Sequence, residues 1–264
     1  MTSLQRIHAF NLQLLLIVFV ICLILSMPVC AQNLVPNGGF EQREGCPSSK
    51  DNFPLQYLKH WTAPEWKHRD GYTLTQTPDF FHTCSKGKYG QPKNFMGSQT
   101  PLKGDGYAGL LLYKIQSREF LQVKLRRPLK ADSTYYLKVN LSMGDRAVLG
   151  IQSFGARLSQ DSAYYGNTND YTALKPLKGP PDQFFTNKKG WQSVVSCYQA
   201  QGGEQYLTLG NFQKDEEIGD TWVKRPNKDR ERRKKGYYYL DEVAVMPCSR
   251  IEDCPCDFLD DYNL

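Results

Sequence analysis

The feature that most constrains how this chain can fold is a series of short segments with apolar residues at alternate positions, set off by clusters of Gly, Pro, Asn and Asp. Residues 120–125 (FLQVKL) alternate apolar and polar, as does the second half of 135–141 (YYLKVNL). Residues 191–198 (WQSVVSCY), 205–212 (QYLTLGNF) and 237–246 (YYYLDEVAVM) are rich in aromatic and β-branched residues. Residues 107–113 (YAGLLLY) form a short apolar run behind Gly104 and Gly106. Alternate side chains of an extended chain point to opposite faces, so these segments predict strands with a buried face. Residues 147–158 place Val148, Ile151, Phe154 and Leu158 among glycines that predict bends or bulges. Gly202 and Gly203 predict a turn joining two strands. No long stretch carries apolar residues at i, i+3, i+4 and i+7. Strands without helical partners bury their faces by stacking sheets, so the expectation is an all-β sandwich.

The N-terminus follows a different pattern. Arg6 precedes an unbroken apolar run of 12 residues, 14–25, and Val29 and Ala31 stand at the −3 and −1 positions of a signal-peptidase site. A spanning helix needs about 20 apolar residues, so 1–31 reads as a cleaved secretory signal rather than an anchor. Pro28 and Val29 make a poor lipobox ahead of Cys30, which argues against lipidation. Cleavage leaves 233 residues, a length that suits one sandwich domain. The expected organisation is a domain over 32–247 and a Cys-rich tail over 248–264. No second segment of spanning length follows, so the expected mature protein is exported and has no transmembrane segment: periplasmic, outer-membrane-associated or extracellular.

The formal charge is +6. Residues 224–235 hold eight basic residues against Asp229 and Glu231, so this stretch alone accounts for the excess. Basic character confined to one loop, instead of spread over a face, argues against a nucleic-acid partner. Arg230, Arg232, Arg233, Lys234 and Lys235 are candidates for contact with an anionic polymer, an attraction that salt would weaken. The plainer reading is a solvated hairpin tip. Two further segments, 43–100 and 159–189, are long and irregular, and loops of this length are functional or held by local packing.

Of eight cysteines, Cys22 and Cys30 leave with the signal. Six remain: Cys46, Cys84, Cys197, Cys248, Cys254 and Cys256. An even number in an exported chain points to disulfides, with the pairing left open. His82 lies two residues before Cys84 in TPDFFHTC. A zinc site would need four ligands, and a Cys–His nucleophile would need a free thiolate with a base held close. Export favours a third reading, a Cys46–Cys84 disulfide pinning the long first loop. The tail CSRIEDCPCD allows a three-cysteine metal site or disulfides, one of them to Cys197.

Residues 33–41 (NLVPNGGFE), Cys46-Pro47, Trp61, 77–84 (TPDFFHTC), 92–109 (PKNFMGSQTPLKGDGYAG), 118–129 (REFLQVKLRRPL), 202–212 (GGEQYLTLGNF) and 237–245 (YYYLDEVAV) together resemble the galactose-binding-like jelly rolls. That group includes several carbohydrate-binding module families. The resemblance is closer to exported Bacteroidota domains found ahead of an OmpA-like peptidoglycan-binding domain; no such module is expected after Leu264. It implies a jelly-roll β-sandwich with long decorated loops, and first and last strands lying side by side with Glu41 close to Asp241. Related carbohydrate-binding jelly rolls hold a structural Ca²⁺ where these strands meet. By that resemblance Glu41 and Asp241 would supply two ligands, and carbonyls near Gly39 and the loop after Asp70 would supply others, toward the 6–8 oxygens that Ca²⁺ takes. The alternative is that Glu41 caps a turn and Asp241 accepts backbone hydrogen bonds beside Glu242.

Sugars present flat CH faces that stack on aromatic rings, while their hydroxyls need fixed polar partners. Trp66, Tyr72, Phe80 and Tyr113, in or beside loops, are the candidates for such a platform. Trp61 and Trp191 are expected to fill the core. Exposed aromatics also serve protein interfaces. The sequence has no G-x-S-x-G, H-E-x-x-H, P-loop or G-x-G-x-x-G motif. A glycosidase needs two carboxylates about 5–10 Å apart, for which Asp105, Glu119 and Asp145 remain available. The leading expectation is therefore a non-catalytic binding module for a glycan or another cell-envelope polymer. A structural or protein-interaction component of the envelope is second, and a hydrolase or esterase third.

Overall fold

The computed structural model describes residues 32–67, 73–74, 77–113, 118–152, 154–162, 164–165, 177–178, 184–213, 220–222, 235–248 and 254. The chain divides into two units, Met1–Gln32 and Asn33–Leu264, and the strands below all belong to the second. They form two five-stranded antiparallel sheets. The first runs Trp61–Thr62, Leu121–Lys124, Tyr206–Gly210, Gly155–Ser159, Leu177–Lys178. The second runs Gln192–Gln199, Thr134–Met143, Gly236–Pro247, Gly106–Tyr113, Asp79–His82. The expected all-β sandwich is what the chain forms.

Register shows why alternation in the sequence becomes two faces. Tyr238 pairs with Leu110 and Met143, and Leu240 with Ala108 and Leu141. These side chains, with Phe80, Val139, Leu121, Val123, Leu207 and Leu209, fill the core between the sheets. Tyr237, Tyr239 and Asp241 point the other way. The predicted segment 147–158 is divided at its bend. Leu149–Ile151 pairs with Asp220–Trp222, while Gly155–Ser159 joins the first sheet. Gly202 and Gly203, at φ 102° and 89°, lie on a connection that passes from the second sheet to the first.

The NLVPNGGFE segment clamps the two sheets together. The Leu34 N–H donates to the Val245 carbonyl at 2.8 Å, and the Arg126 N–H donates to the Leu34 carbonyl at 2.9 Å. Val243 N–H donates to Gly38 O, and a Cβ on Gly38 would lie 2.1 Å from the Val243 carbonyl oxygen, so only glycine fits there. Asn37 adopts φ 54°, and its amide joins the Gln42 and Lys59 carbonyls. Trp61, expected in the core, is buried, stacks near Phe40 and donates its indole N–H to the Asn37 carbonyl. The neighbourhood of first and last segments thus matches the expectation from the motif.

Candidate functional site

The outward face of the second sheet carries an aromatic field. Phe81, Tyr107, Tyr237 and Tyr239 come from three adjacent strands, and their rings meet at centroid distances of 5.0–5.8 Å. This field is not open. Residues 87–103 lie over it: Phe95 stacks on Phe81 and meets Tyr237 edge-on. Asn94 accepts from the Tyr239 hydroxyl at 2.8 Å and donates to that of Tyr107 at 2.9 Å. Gln99 accepts from Ser142. Trp191 belongs to this cover. It is half-buried, meets Tyr107 edge-on and donates to the Thr100 carbonyl, so it does not fill the inter-sheet core as expected.

At one end of the field sits a buried acid. Asp79 accepts from the Tyr237 hydroxyl at 2.6 Å. Burial, reinforced by the Glu119 carboxylate, pushes the Asp79 carboxyl up to about 7. The same burial, with Asp79 beside it, drives the Tyr237 phenol far above its usual range. Glu119, also raised by burial, accepts from the Thr77 hydroxyl and the Leu111 N–H. Neither Asp79 nor the covered tyrosines stood out in the sequence. The signal was the YYY triplet, two of whose members had to face away from the core.

Glu41 and Asp241 both address the turn over 102–106. Asp241 Oδ2 accepts from Leu102 and Lys103 N–H at 2.8 and 3.3 Å, and Oδ1 accepts from Glu242 N–H at 2.7 Å. Glu41 accepts from Asp105 and Gly106 N–H at 2.9–3.0 Å. Burial pushes Asp241 up to about 7 despite these three donors. A Ca²⁺ site needs converging oxygens. Among the described residues the groups that meet the two carboxylates are N–H donors, whose positive ends would repel a cation; residues 71–72 and 75–76, after Asp70, where further ligands were expected, lie outside the described residues. The geometry is that of a turn cap and a buried backbone acceptor.

The remaining candidates are dispersed. Phe80, expected on a ligand platform, is fully buried on the inward face of its strand, because its register partner is the core residue Ala108. Tyr113 ends its strand half-buried against the core. The backbone of Trp66 lies in a small sheet in which Glu65–Lys67 pairs with Thr73–Leu74 and with Tyr164–Tyr165, Trp66 being opposite Leu74 and Tyr165. Tyr72, Arg230, Arg232, Arg233 and Lys234 lie outside the described residues. Lys235 turns inward: its ammonium is 3.3 Å from Met96 Sδ, and its charge opposes the rise at Asp79 and Glu119. Asp145 accepts from Ser98 N–H, and Asp105 from the Thr83 hydroxyl.

Cys46 and Cys84 are disulfide-bonded, as are Cys248 and Cys254. The first bond answers the question posed by TPDFFHTC. With Cys84 in a disulfide, His82 serves the backbone instead, its Nδ1 accepting the Cys84 N–H at 3.0 Å. Burial and the neighbouring Arg43 hold its pKa below the usual imidazole value.

Fold and site together define a disulfide-bonded antiparallel β-sandwich. No protein-family model matches the chain, and no curated protein matches it. Among solved structures it is similar to the CBM22-1 xylan-binding domain of Paenibacillus barcinonensis Xyn10C, at 9% identity over 72% of this chain and 86% of that one, with a TM-score of 0.37. It is also similar to the K2 cleaved adhesin domain of Lys-gingipain (10% identity, 84% and 99% of the two chains, TM-score 0.40). The K3 cleaved adhesin domain of Lys-gingipain from Porphyromonas gingivalis W83 is a third (14% identity, 80% and 96%, TM-score 0.36).

Proposed function

We propose that this is a non-catalytic module of an exported protein that binds a glycan or a related envelope polymer, using the small sheet built around Trp66. The observation that carries the reading is the register of that sheet. Trp66 is opposite Tyr165, so the two long irregular segments meet at an aromatic pair of positions outside both large sheets. Polar groups stand nearby. Ser162, two residues before Tyr164, donates to the Gln122 carboxamide at 2.8 Å, which in turn donates to Thr208. Pyranose rings are bound by aromatic residues together with fixed polar partners, and the pairing of Trp66 with Tyr165 brings two aromatic positions of this kind together along the backbone. The Cys46–Cys84 and Cys248–Cys254 disulfides support an oxidising compartment. The carboxylates that remained available for a hydrolase each accept a hydrogen bond within the fold: Glu119 from the Leu111 N–H and the Thr77 hydroxyl, Asp105 from the Thr83 hydroxyl, and Asp145 from the Ser98 N–H.

The test is a polysaccharide array probed with the exported domain, its Trp66→Ala variant and its Tyr72→Ala variant. Retention by one or more glycans, lost in Trp66→Ala at an unchanged melting temperature, is the expected result. Undiminished binding in Trp66→Ala would overturn the assignment of the site, and an array blank for the native domain would overturn the ligand class. A blank would move weight to a second reading, a protein-interaction component of the envelope.

A further inference from the structure

We infer that the glycan taken by this site is anionic, and that its acidic group is gripped by Arg157 on the outward face of the first sheet. The inference rests on the glycan-binding reading above and adds the charge of the ligand. Register is where it starts. Leu121, Val123, Leu207, Leu209 and Ala156 belong to the core, so Gln122, Lys124, Tyr206, Thr208 and Arg157 face outward. Pairing sets Thr62, Gln122, Thr208 and Arg157 in one row across four strands. Lys124, Tyr206 and Ser159 form the next row. The small sheet joins the first row at two points. Thr62 lies four residues before Trp66. Ser162, which donates to Gln122, lies two residues before Tyr164. The paired positions Trp66 and Tyr165 thus adjoin this face.

What the face lacks is an acceptor. Arg157 is half-buried, yet among the described residues no carbonyl, hydroxyl or carboxylate accepts from its guanidinium. The fold treats Arg118 differently: it is buried and donates to the Asn211 and Gln213 carbonyls. A half-buried cation has given up part of its hydration, and the planar fork of a guanidinium matches two oxygens of one oxyanion. A second cation stands nearby. Lys124 is exposed, with its ammonium 5.8 Å from the centroid of the Tyr206 ring. Arg157 and Lys124 lie on the strands either side of Tyr206–Gly210, so about 10 Å of sheet separates them laterally.

The opposite end of the face is closed. A Cβ on Gly210 would lie 2.2 Å from the Phe120 ring, so that ring fills the row beyond Thr208. The row of Tyr206 and exposed Lys124 is left as the approach to Arg157. An aromatic ring between two cations suits a sugar that carries an oxyanion. Its CH face stacks on Tyr206, its acidic group enters the Arg157 fork, and Lys124 adds a second charge. The carboxylate of a uronic acid and a sulfate ester share this chemistry.

Isothermal titration of the purified chain with two matched pairs of polymers tests the inference: polygalacturonate against its carboxyl-reduced form, and dextran sulfate against dextran. In at least one pair, the acidic member should bind about tenfold more tightly or better, with a preference that fades as salt is added. The pair that shows the preference identifies the acidic group. Arg157→Gln should bring the ratio of affinities close to one, and Lys124→Gln should lower it about two- to fivefold. Equal affinity for acidic and uncharged members in the native chain would overturn the inference and leave the glycan reading standing. A preference that persists undiminished in Arg157→Gln would overturn the assignment to this face. An unchanged ratio in Lys124→Gln, whose exposed side chain the fold does not need, would do the same should Arg157→Gln fail to fold. Binding of none of the four polymers would overturn the glycan reading and this inference with it.

Discussion

Asp241 and Glu41 grip one turn from opposite ends: Asp241 takes the N–H groups of Leu102 and Lys103, and Glu41 those of Asp105 and Gly106. Gly104 lies between them at φ +71°, where a Cβ would come 2.4 Å from the Glu41 carboxyl carbon. Leaving a buried N–H donor without its acceptor costs about 1–3 kcal/mol. Asp241→Ala should therefore lower stability by about 3 kcal/mol in urea titration, and exposed Glu41→Ala by less. With N–H donors where a cation would need oxygens, a chelator should leave the melting temperature unchanged. A fall of several degrees in EDTA would mean that these carboxylates do ligate a metal.

The buried acids set a pH dependence with a definite sign. Asp79 and Asp241 are raised in the fold from 3.8 to about 7. The folded state keeps these protons to higher pH than the unfolded chain does. Stability is therefore greatest below about pH 4 as far as these groups are concerned, and falls as pH rises from about 4 to about 7. The slope is about 1.4 kcal/mol per pH unit for each group within that window. Urea midpoints at pH 5 and pH 8 should show the loss, and Asp79→Asn should reduce it. An identical pH profile in the variant would remove Asp79 from the account.

The cover over the aromatic field depends on Asn94. Replacing it with Ala leaves the Tyr239 hydroxyl, in a buried residue, without its acceptor, a loss of about 1–3 kcal/mol. Limited proteolysis should then cut within 87–103 faster than in the native protein. Unchanged cleavage would show that ring packing by Phe95 alone holds the segment.

The Cys46–Cys84 bond closes a loop of sequence separation 38. Paired replacement of both cysteines by Ser should cost about 3–4 kcal/mol on the chain-entropy account. The loss should appear as a lower urea midpoint, without loss of the far-ultraviolet β signal at low denaturant. A midpoint shift of less than about 1 kcal/mol equivalent would show that Pro47, Leu55 and Leu58, all buried, hold the loop without the bond.

By itself, the sequence determined where the strands are and which side chains share a face, because a period of two in an extended chain is a local property. Only the tertiary structure decided what lies against each face. Tyr107, Tyr237 and Tyr239 alternate correctly as outward-facing residues, yet they are buried, because 87–103 folds back over them. Trp191 and Phe80 exchange their expected environments for the same reason: alternation fixes relative orientation along a strand, not which side of the sheet meets the core. Glu41 and Asp241 were recognisable as neighbours, but the donors that meet them come from positions 64 and 139 residues away. Contacts at such separations are set by how two sheets stack, and no local pattern of residues records that.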